Sequence, residues 1–329
     1  MVDFAGGMLR VNESGMFVNL RDKTIALDPR RKVKADYVFI SHAHSDHLPA
    51  SVGDSTVIAS EETVTLAKAR GLKIERHVDS LPGIELPDTG HILGSRGILV
   101  DGVLYYTGDI AGRKRGFMNK GRPVSCETLL VETTYGRENF SFPPLAEILL
   151  NANKLISGAL EAGRPAIIQG YPLGKSQVLT YLFQSWSPLY VYGNVNIYNR
   201  IYRELGVELP QAEPFPKNSS LISKHGVIVF PTTGDRGETK KLISKSKATV
   251  IRFTGWAITK PFANEHTTML PVSDHADYFE LLKFVSECRP EYVLTTHGYA
   301  KDFAFSLRRY GFRAKPLQER QIPLTEYFE

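Results

Sequence analysis

Three imidazoles and a carboxylate fall within six positions in the stretch Ser41-His42-Ala43-His44-Ser45-Asp46-His47-Leu48. Ring nitrogens and carboxylate oxygens with no thiolate among them are the donor set of a zinc site, with manganese as the alternative. In an extended or tightly turning segment, residues two apart project to the same side. His42 and His44 can therefore face one cation while Asp46 and His47 turn toward a second point nearby. A polar surface loop has no packing use for imidazoles at this density. The residues just before, Asp36-Tyr37-Val38-Phe39-Ile40, have the β-branched and aromatic character of a buried strand, so the cluster is carried on a strand end.

The same grammar recurs down the chain. Thr89-Gly90-His91 sets an imidazole in a glycine-flanked turn, Tyr105-Tyr106-Thr107-Gly108-Asp109 ends an apolar strand on a carboxylate, and Thr128-Leu129-Leu130-Val131-Glu132 does so again. Later come Ser273-Asp274-His275-Ala276-Asp277 and the strand Tyr292-Val293-Leu294-Thr295-Thr296, which delivers His297. Each of these is a weak signal alone; their order after the first cluster gives them weight. His77, His225 and His266 have no motif around them and read as ordinary histidines.

Other elements must hold these residues in place. Short strands separated by turn chemistry run from Met8 to Leu27, and Ser60-Glu61-Glu62-Thr63 opens a helix that runs to Arg70 and stops at Gly71. Helix-length segments and strands then alternate: Pro143 to Ala162 as helix, Pro165 to Gly170 as strand, and Leu173-Gly174-Lys175-Ser176 leading into a helix at Gln177. The chain of 329 residues, 42% apolar and 23% charged, can bury a large core. A net charge of +5 permits an anionic partner such as nucleic acid without requiring one. Cys126 and Cys288 are too few for a disulfide framework and suit a reducing compartment. With no signal-peptide pattern at Met1-Val2-Asp3-Phe4 and no membrane-length apolar run, the expected location is the cytoplasm, away from any membrane.

Taken in order, these motifs resemble the metallo-β-lactamase superfamily, and within it the nuclease branch with an inserted β-CASP cap. His42 to His47 resembles the His-x-His-x-Asp-His signature, His91 the third metal histidine and Asp109 the bridging aspartate, while Glu132, His275 and His297 resemble the three motifs that mark the branch. The segment Gly163-Arg164-Pro165 to Gln177 is similar to the start of the cap. Phe253-Thr254-Gly255-Trp256 and Ser273 to Asp277 look most like ligase-associated exonucleases and their Artemis-like relatives. His297 is shared with RNA-acting members, so that residue does not separate DNA from RNA.

The resemblance implies an α/β (α+β) fold, a four-layer αββα sandwich spanning residues 1–139 and 269–329, with the β-CASP domain at 140–268. It implies two zinc ions per chain: His42, His44 and His91 around the first, Asp46, His47 and His297 around the second, and Asp109 between them. Two adjacent divalent ions suit phosphodiester cleavage, because they lower the pKa of bound water from about 15.7 to about 7 and neutralise charge developing on the phosphate. Asp46, Glu132 and His275 are the expected catalytic residues, with Glu132 holding His275 as the acid that protonates the leaving oxygen. Arg113, Lys114 and Arg115, followed by Lys120 and Arg122, are candidates for the nucleic-acid backbone, as is Lys175 where a strand turns into a helix. The expected function is a DNA exonuclease of repair, with a DNA ligase or other repair protein as partner. An RNA-processing nuclease is the alternative, ahead of a small-molecule thioesterase or lactonase and of a catalytically dead binding subunit.

Overall fold

The computed structural model describes residues 2–4, 9–12, 15–215, 226–232, 237 and 243–317. The chain divides into two compact units. One comprises Met1–Lys114, Asn119–Glu138 and His275–Glu329, the other Arg115–Met118 and Asn139–Asp274.

The first unit holds two sheets. A seven-stranded sheet takes its strands in chain order, Val2–Phe4, Leu9–Asn12, Gly15–Leu20, Lys23–Leu27, Tyr37–Phe39, Thr56–Ile58 and His77–Val78. The first four pair antiparallel as a meander and the last four pair parallel. The six-stranded sheet runs Arg313–Pro316, Tyr292–Thr296, Thr128–Glu132, Leu104–Tyr106, Ile98–Val100 and Ile84–Glu85. Its first four strands are parallel neighbours.

Strand side chains alternate between faces, and here both faces are used. Val18, Ile25, Leu27, Phe39 and Ile58 of the first sheet pack with Val100, Leu104, Tyr106, Leu130 and Leu294 of the second, which makes the core between the sheets. Leu99, Tyr105, Leu129, Val131 and Val293 point the other way, onto Leu281, Phe284 and Val285 of the helix Tyr278–Cys288 and Phe303 and Leu307 of the helix Ala300–Arg309. On the first sheet, Glu61–Ala69 is the crossover helix between the parallel neighbours Thr56–Ile58 and His77–Val78. A crossover must lie on a face of its sheet, and the inner face is already filled, so this helix covers the outer one. The result is a four-layer α-β-β-α sandwich. The helix Glu61–Ala69 starts on Ser60, whose Oγ accepts from Thr63 N, as the Ser-x-x-Thr spacing predicts.

The second unit is inserted between Glu138 and His275 and is built on one all-parallel sheet. In order its strands are Glu213–Pro214, Leu189–Val191, Val227–Pro231, Ala166–Gly170, Thr249–Phe253 and Thr267–Leu270. The helix Leu145–Glu161 lays the helical stripe Ile148, Ala152, Ile156 and Ala159 against Ile168, Val229 and Ile251. Ile167, Ile228, Phe230 and Val250 form a second core on the opposite face.

Candidate metal centre

Most polar groups of the centre stand just beyond, or at, the carboxyl end of a strand, while His91 comes from the turn after Gly90 and His275 from the segment before the helix Tyr278–Cys288. Asp28 follows Lys23–Leu27, the His42–His47 loop follows Tyr37–Phe39, Asp109 follows Leu104–Tyr106, Glu132 ends Thr128–Glu132 and His297 follows Tyr292–Thr296. Because neighbouring strands in each set run parallel, their ends arrive together. That is where parallel sheets place ligand sites. Two loops are locked to each other: Thr133 Oγ1 donates to His297 O at 2.6 Å and Tyr299 N donates to Thr133 O at 2.9 Å. Gly298 between them has φ 50°, and a Cβ on it would come within 2.5 Å of Thr133 O, so only glycine fits.

His42, His44, His91 and Asp109 present ligand atoms all within 4.8 Å of one another. His91 Nε2 lies 3.1 Å from His44 Nδ1 and 3.5 Å from Asp109 Oδ2. His42 Nε2 is also 3.5 Å from Asp109 Oδ2, and it is buried without a hydrogen bond. Burial, and then repulsion from His47, His91 and His44, push the His42 imidazole well below its ordinary range, which leaves it neutral with a lone pair to give. Ring nitrogens converging in this way in the protein interior are the arrangement that receives a cation.

On the other side of Asp109, its Oδ1 lies 3.5 Å from His47 Nε2, so the two oxygens of this carboxylate face different imidazoles. His47 Nε2 is 3.8 Å from Asp46 Oδ2, and the His47 and His297 rings are 5.9 Å apart. His297 Nδ1 is buried without a hydrogen-bond partner. Burial disfavours charge on His47, but the carboxylates of Asp109, Asp28 and Asp46 outweigh it and raise the imidazole to about 10. The position thus calls for a positive charge, a proton in the metal-free chain or a cation in its place. The nitrogen and oxygen donors on the two sides of Asp109 are of the kind that hold zinc.

Asp28 is the functional residue that sequence reasoning missed. Its carboxylate accepts from Ser41 N at 2.7 Å, Ser41 Oγ at 2.6 Å, Tyr106 OH at 2.8 Å and His47 Nδ1 at 2.9 Å. It thereby places the His47 proton on Nδ1 and turns Nε2 toward Asp109, the carboxylate–imidazole arrangement that orients metal ligands. The signal was present in Thr24-Ile25-Ala26-Leu27-Asp28, an apolar strand ending on an acid, the pattern that pointed to Asp109 and Glu132.

Asp109, Glu132 and His275 form a second group with ligand atoms within 4.8 Å. His275 Nδ1 donates to Glu132 Oε1 at 2.8 Å and lies 4.0 Å from Asp109 Oδ2. Glu132 also accepts from Ile110 N and Thr134 N, both at 3.0 Å. Burial alone would push this carboxyl up, yet the His275 imidazole and those N–H groups hold it down at about 2. The His275 side chain keeps 24% of its surface exposed, against 1% for Glu132, so a substrate can reach the imidazole while its partner stays dry.

The basic residues are placed differently from the expectation. Arg115 is 1% exposed, with Nη1 on Ser273 O at 3.1 Å and on Asp274 Oδ1 at 3.3 Å. Lys175 is 5% exposed, with Nζ 3.4 Å from Asp274 Oδ2. Arg113 holds Asp277 and Glu280. Arg115 and Lys175 are interior cations held by a carboxylate, as buried arginines and lysines are, and Arg113 is paired while part of its side chain stays exposed. Lys114 and Lys120 are exposed, and Arg122 pairs with Glu85 at the surface. His77 pairs with Glu61 at 2.9 Å and His266 with its neighbour Glu265, both outside the centre, and His225 lies outside the described residues.

A family model described as the Zn-dependent metallo-hydrolase RNA specificity domain matches residues 264–315. A probable DNA ligase of Opitutus terrae is 31% identical over 299 residues, covering 85% of this chain and 28% of that protein. The DNA cross-link repair 1A protein of Mus musculus is 27% identical, covering 78% of this chain and again 28% of the relative. The chain thus spans little more than a quarter of the length of both. Probable RNase MJ4 of Methanocaldococcus jannaschii is 26% identical over 80% of this chain and 81% of its own length. A crystal structure of a protein of unknown function from Enterococcus faecalis V583 superposes with a TM-score of 0.62 over 95% of this chain and 96% of that one, at 13% identity, which shows a shared fold. Its sandwich, its strand-end histidines around Asp109 and these relatives together place the chain in the metallo-β-lactamase superfamily, in the branch that carries an inserted β-CASP domain.

Proposed function

We propose that the protein is a zinc-dependent nuclease that hydrolyses phosphodiester bonds, and that its substrate is DNA, degraded from an end during repair. The observation that carries this reading is the division of labour around Asp109: two donor groups on its two oxygens, with the Glu132–His275 pair alongside. Divalent ions there supply acidified water and charge neutralisation at a phosphodiester. His42, His44 and His91 would hold one and His47, Asp46 and His297 the other, with Asp109 shared. Glu132, ionised and acceptor-only, fixes the His275 ring by its bond to Nδ1 and favours the imidazolium, whose Nε2 then carries a proton for the leaving oxygen. A group of this kind is worth about 10²- to 10⁴-fold in rate.

DNA is favoured by the relatives named for DNA ligation and cross-link repair. That more than a quarter of a probable DNA ligase aligns with this chain supports work beside a ligase. The second reading, RNA processing, draws on the RNA specificity description of the matched domain and on probable RNase MJ4.

Zinc- or manganese-loaded protein incubated with matched single- and double-stranded DNA and RNA, labelled at either end and with or without a 5′ phosphate, separates these readings. Progressive shortening of DNA from one end is the expected ladder. Shortening of RNA alone selects the second reading, and intact substrates of both kinds sink the nuclease assignment.

A further inference from the structure

The loop that carries Asp109 continues through Ile110 to Arg113 and is tied to the segment that carries His275. Ile110 O accepts from Ala276 N at 2.8 Å. Gly112 lies so near Glu280 that a Cβ would collide with that side chain. Arg113 then donates from Nη2 to Asp277 Oδ2 at 2.7 Å and from Nε to Glu280 Oε1 at 2.6 Å.

Asp277 and Glu280 already form the capping box of the helix Tyr278–Cys288. Asp277 Oδ1 accepts from Glu280 N at 2.9 Å, and Glu280 Oε2 accepts from Asp277 N at 3.0 Å. The guanidinium takes the one oxygen that the box leaves over on each carboxylate. A capping box satisfies its backbone donors without a cation, so the arginine is not what starts this helix. What it adds is a charge-assisted, two-point tie between the helix start and the Asp109 loop. His275 stands two residues before Asp277, next to the Ala276 end of the tied segment.

We propose that Arg113 is a positioning residue for the reaction: by clamping Asp277 and Glu280 to the Asp109 loop, it fixes the backbone under His275 and keeps that imidazole on Glu132. The inference rests on His275 acting as the proton donor. Placement matters at this scale, since a displacement of about 1 Å in a reacting group can cost on the order of 10²-fold.

The test compares two phosphodiesters in the full-length, zinc-loaded protein. One is a short DNA whose alkoxide leaving group needs a proton; the other is thymidine 5′-p-nitrophenyl phosphate, whose nitrophenolate leaves without one. Arg113→Gln is expected to lower kcat on DNA by about 10-fold or more while changing the nitrophenyl ester less than about 3-fold, with KM and zinc content as in the parent. Asp277→Asn, which still caps the helix but loses the charged partner, is expected to show the same split if Arg113→Gln proves too unstable to assay. Equal losses on both esters, or no loss on either, overturn the clamp. His275→Ala serves as the reference. If it slows both esters alike, the proton-donor reading falls and this inference with it; if it alone shows the split, only the clamp is overturned.

Discussion

Asp28 shows how much of a metal centre can depend on a residue that touches no metal. With four hydrogen bonds ending on its carboxylate, it joins the strand it follows, the first residue of the His-rich loop and the neighbouring sheet through Tyr106. Its one bond to an imidazole decides which nitrogen of His47 faces Asp109. Asp28→Ala is expected to weaken the ion on the His47 side by about 10- to 100-fold, the usual cost of losing such an orienting carboxylate. Competition against a chromophoric chelator reads this directly. His42, His44 and His91 do not bond Asp28, so one ion should keep its parent affinity. A variant that binds both ions as the parent does would mean that His47 needs no orientation. His44→Ala, by contrast, should lose the first ion outright.

At the scale of elements, the centre is a meeting of strand ends, and this explains what the sequence reveals and what it hides. A buried run that ends on a polar residue is visible in sequence, which is why the His-rich loop, Asp109, Glu132 and His297 stand out. Asp28 is masked by the turn-like Asp28-Pro29-Arg30-Arg31 that follows it. Arg113 and Arg115 read as a basic surface run because their carboxylate partners lie about 160 residues further on, at separations of 164 and 159. Sequence spacing carries no trace of such pairings. Gly298 tests the strand-end account. A methyl group there would strike Thr133 O and strain a backbone at φ 50°, forcing the end of Tyr292–Thr296 away from that of Thr128–Glu132. Gly298→Ala is expected to displace His297 and reduce bound zinc from two ions toward one, with a loss of stability above about 1 kcal/mol. Elemental analysis and thermal unfolding check the two halves, and full zinc content in a stable variant would show that the loop tolerates the shift.

Across the whole molecule, the donor residues are unevenly shared. All of His42, His44, Asp46, His47, His91, Asp109, Glu132, His275 and His297 belong to the sandwich unit, whereas both tryptophans, Trp186 and Trp256, belong to the inserted unit. Each unit has its own buried core, so each has its own source of stability. A ligand that binds only the folded state stabilises what it binds by RT ln(1 + [L]/Kd), about 4 kcal/mol at a thousandfold excess over Kd. Removing zinc withdraws that term from the sandwich and leaves buried imidazoles and carboxylates without their counter-charge. Tryptophan fluorescence reports the inserted unit alone, while far-ultraviolet ellipticity reports both. Chelation is therefore expected to split one melting curve into two: an ellipticity transition that moves to lower temperature, and a fluorescence transition that moves by much less. If both transitions fall together by the same amount, the units unfold as one cooperative body and zinc stabilises the inserted unit through the sandwich.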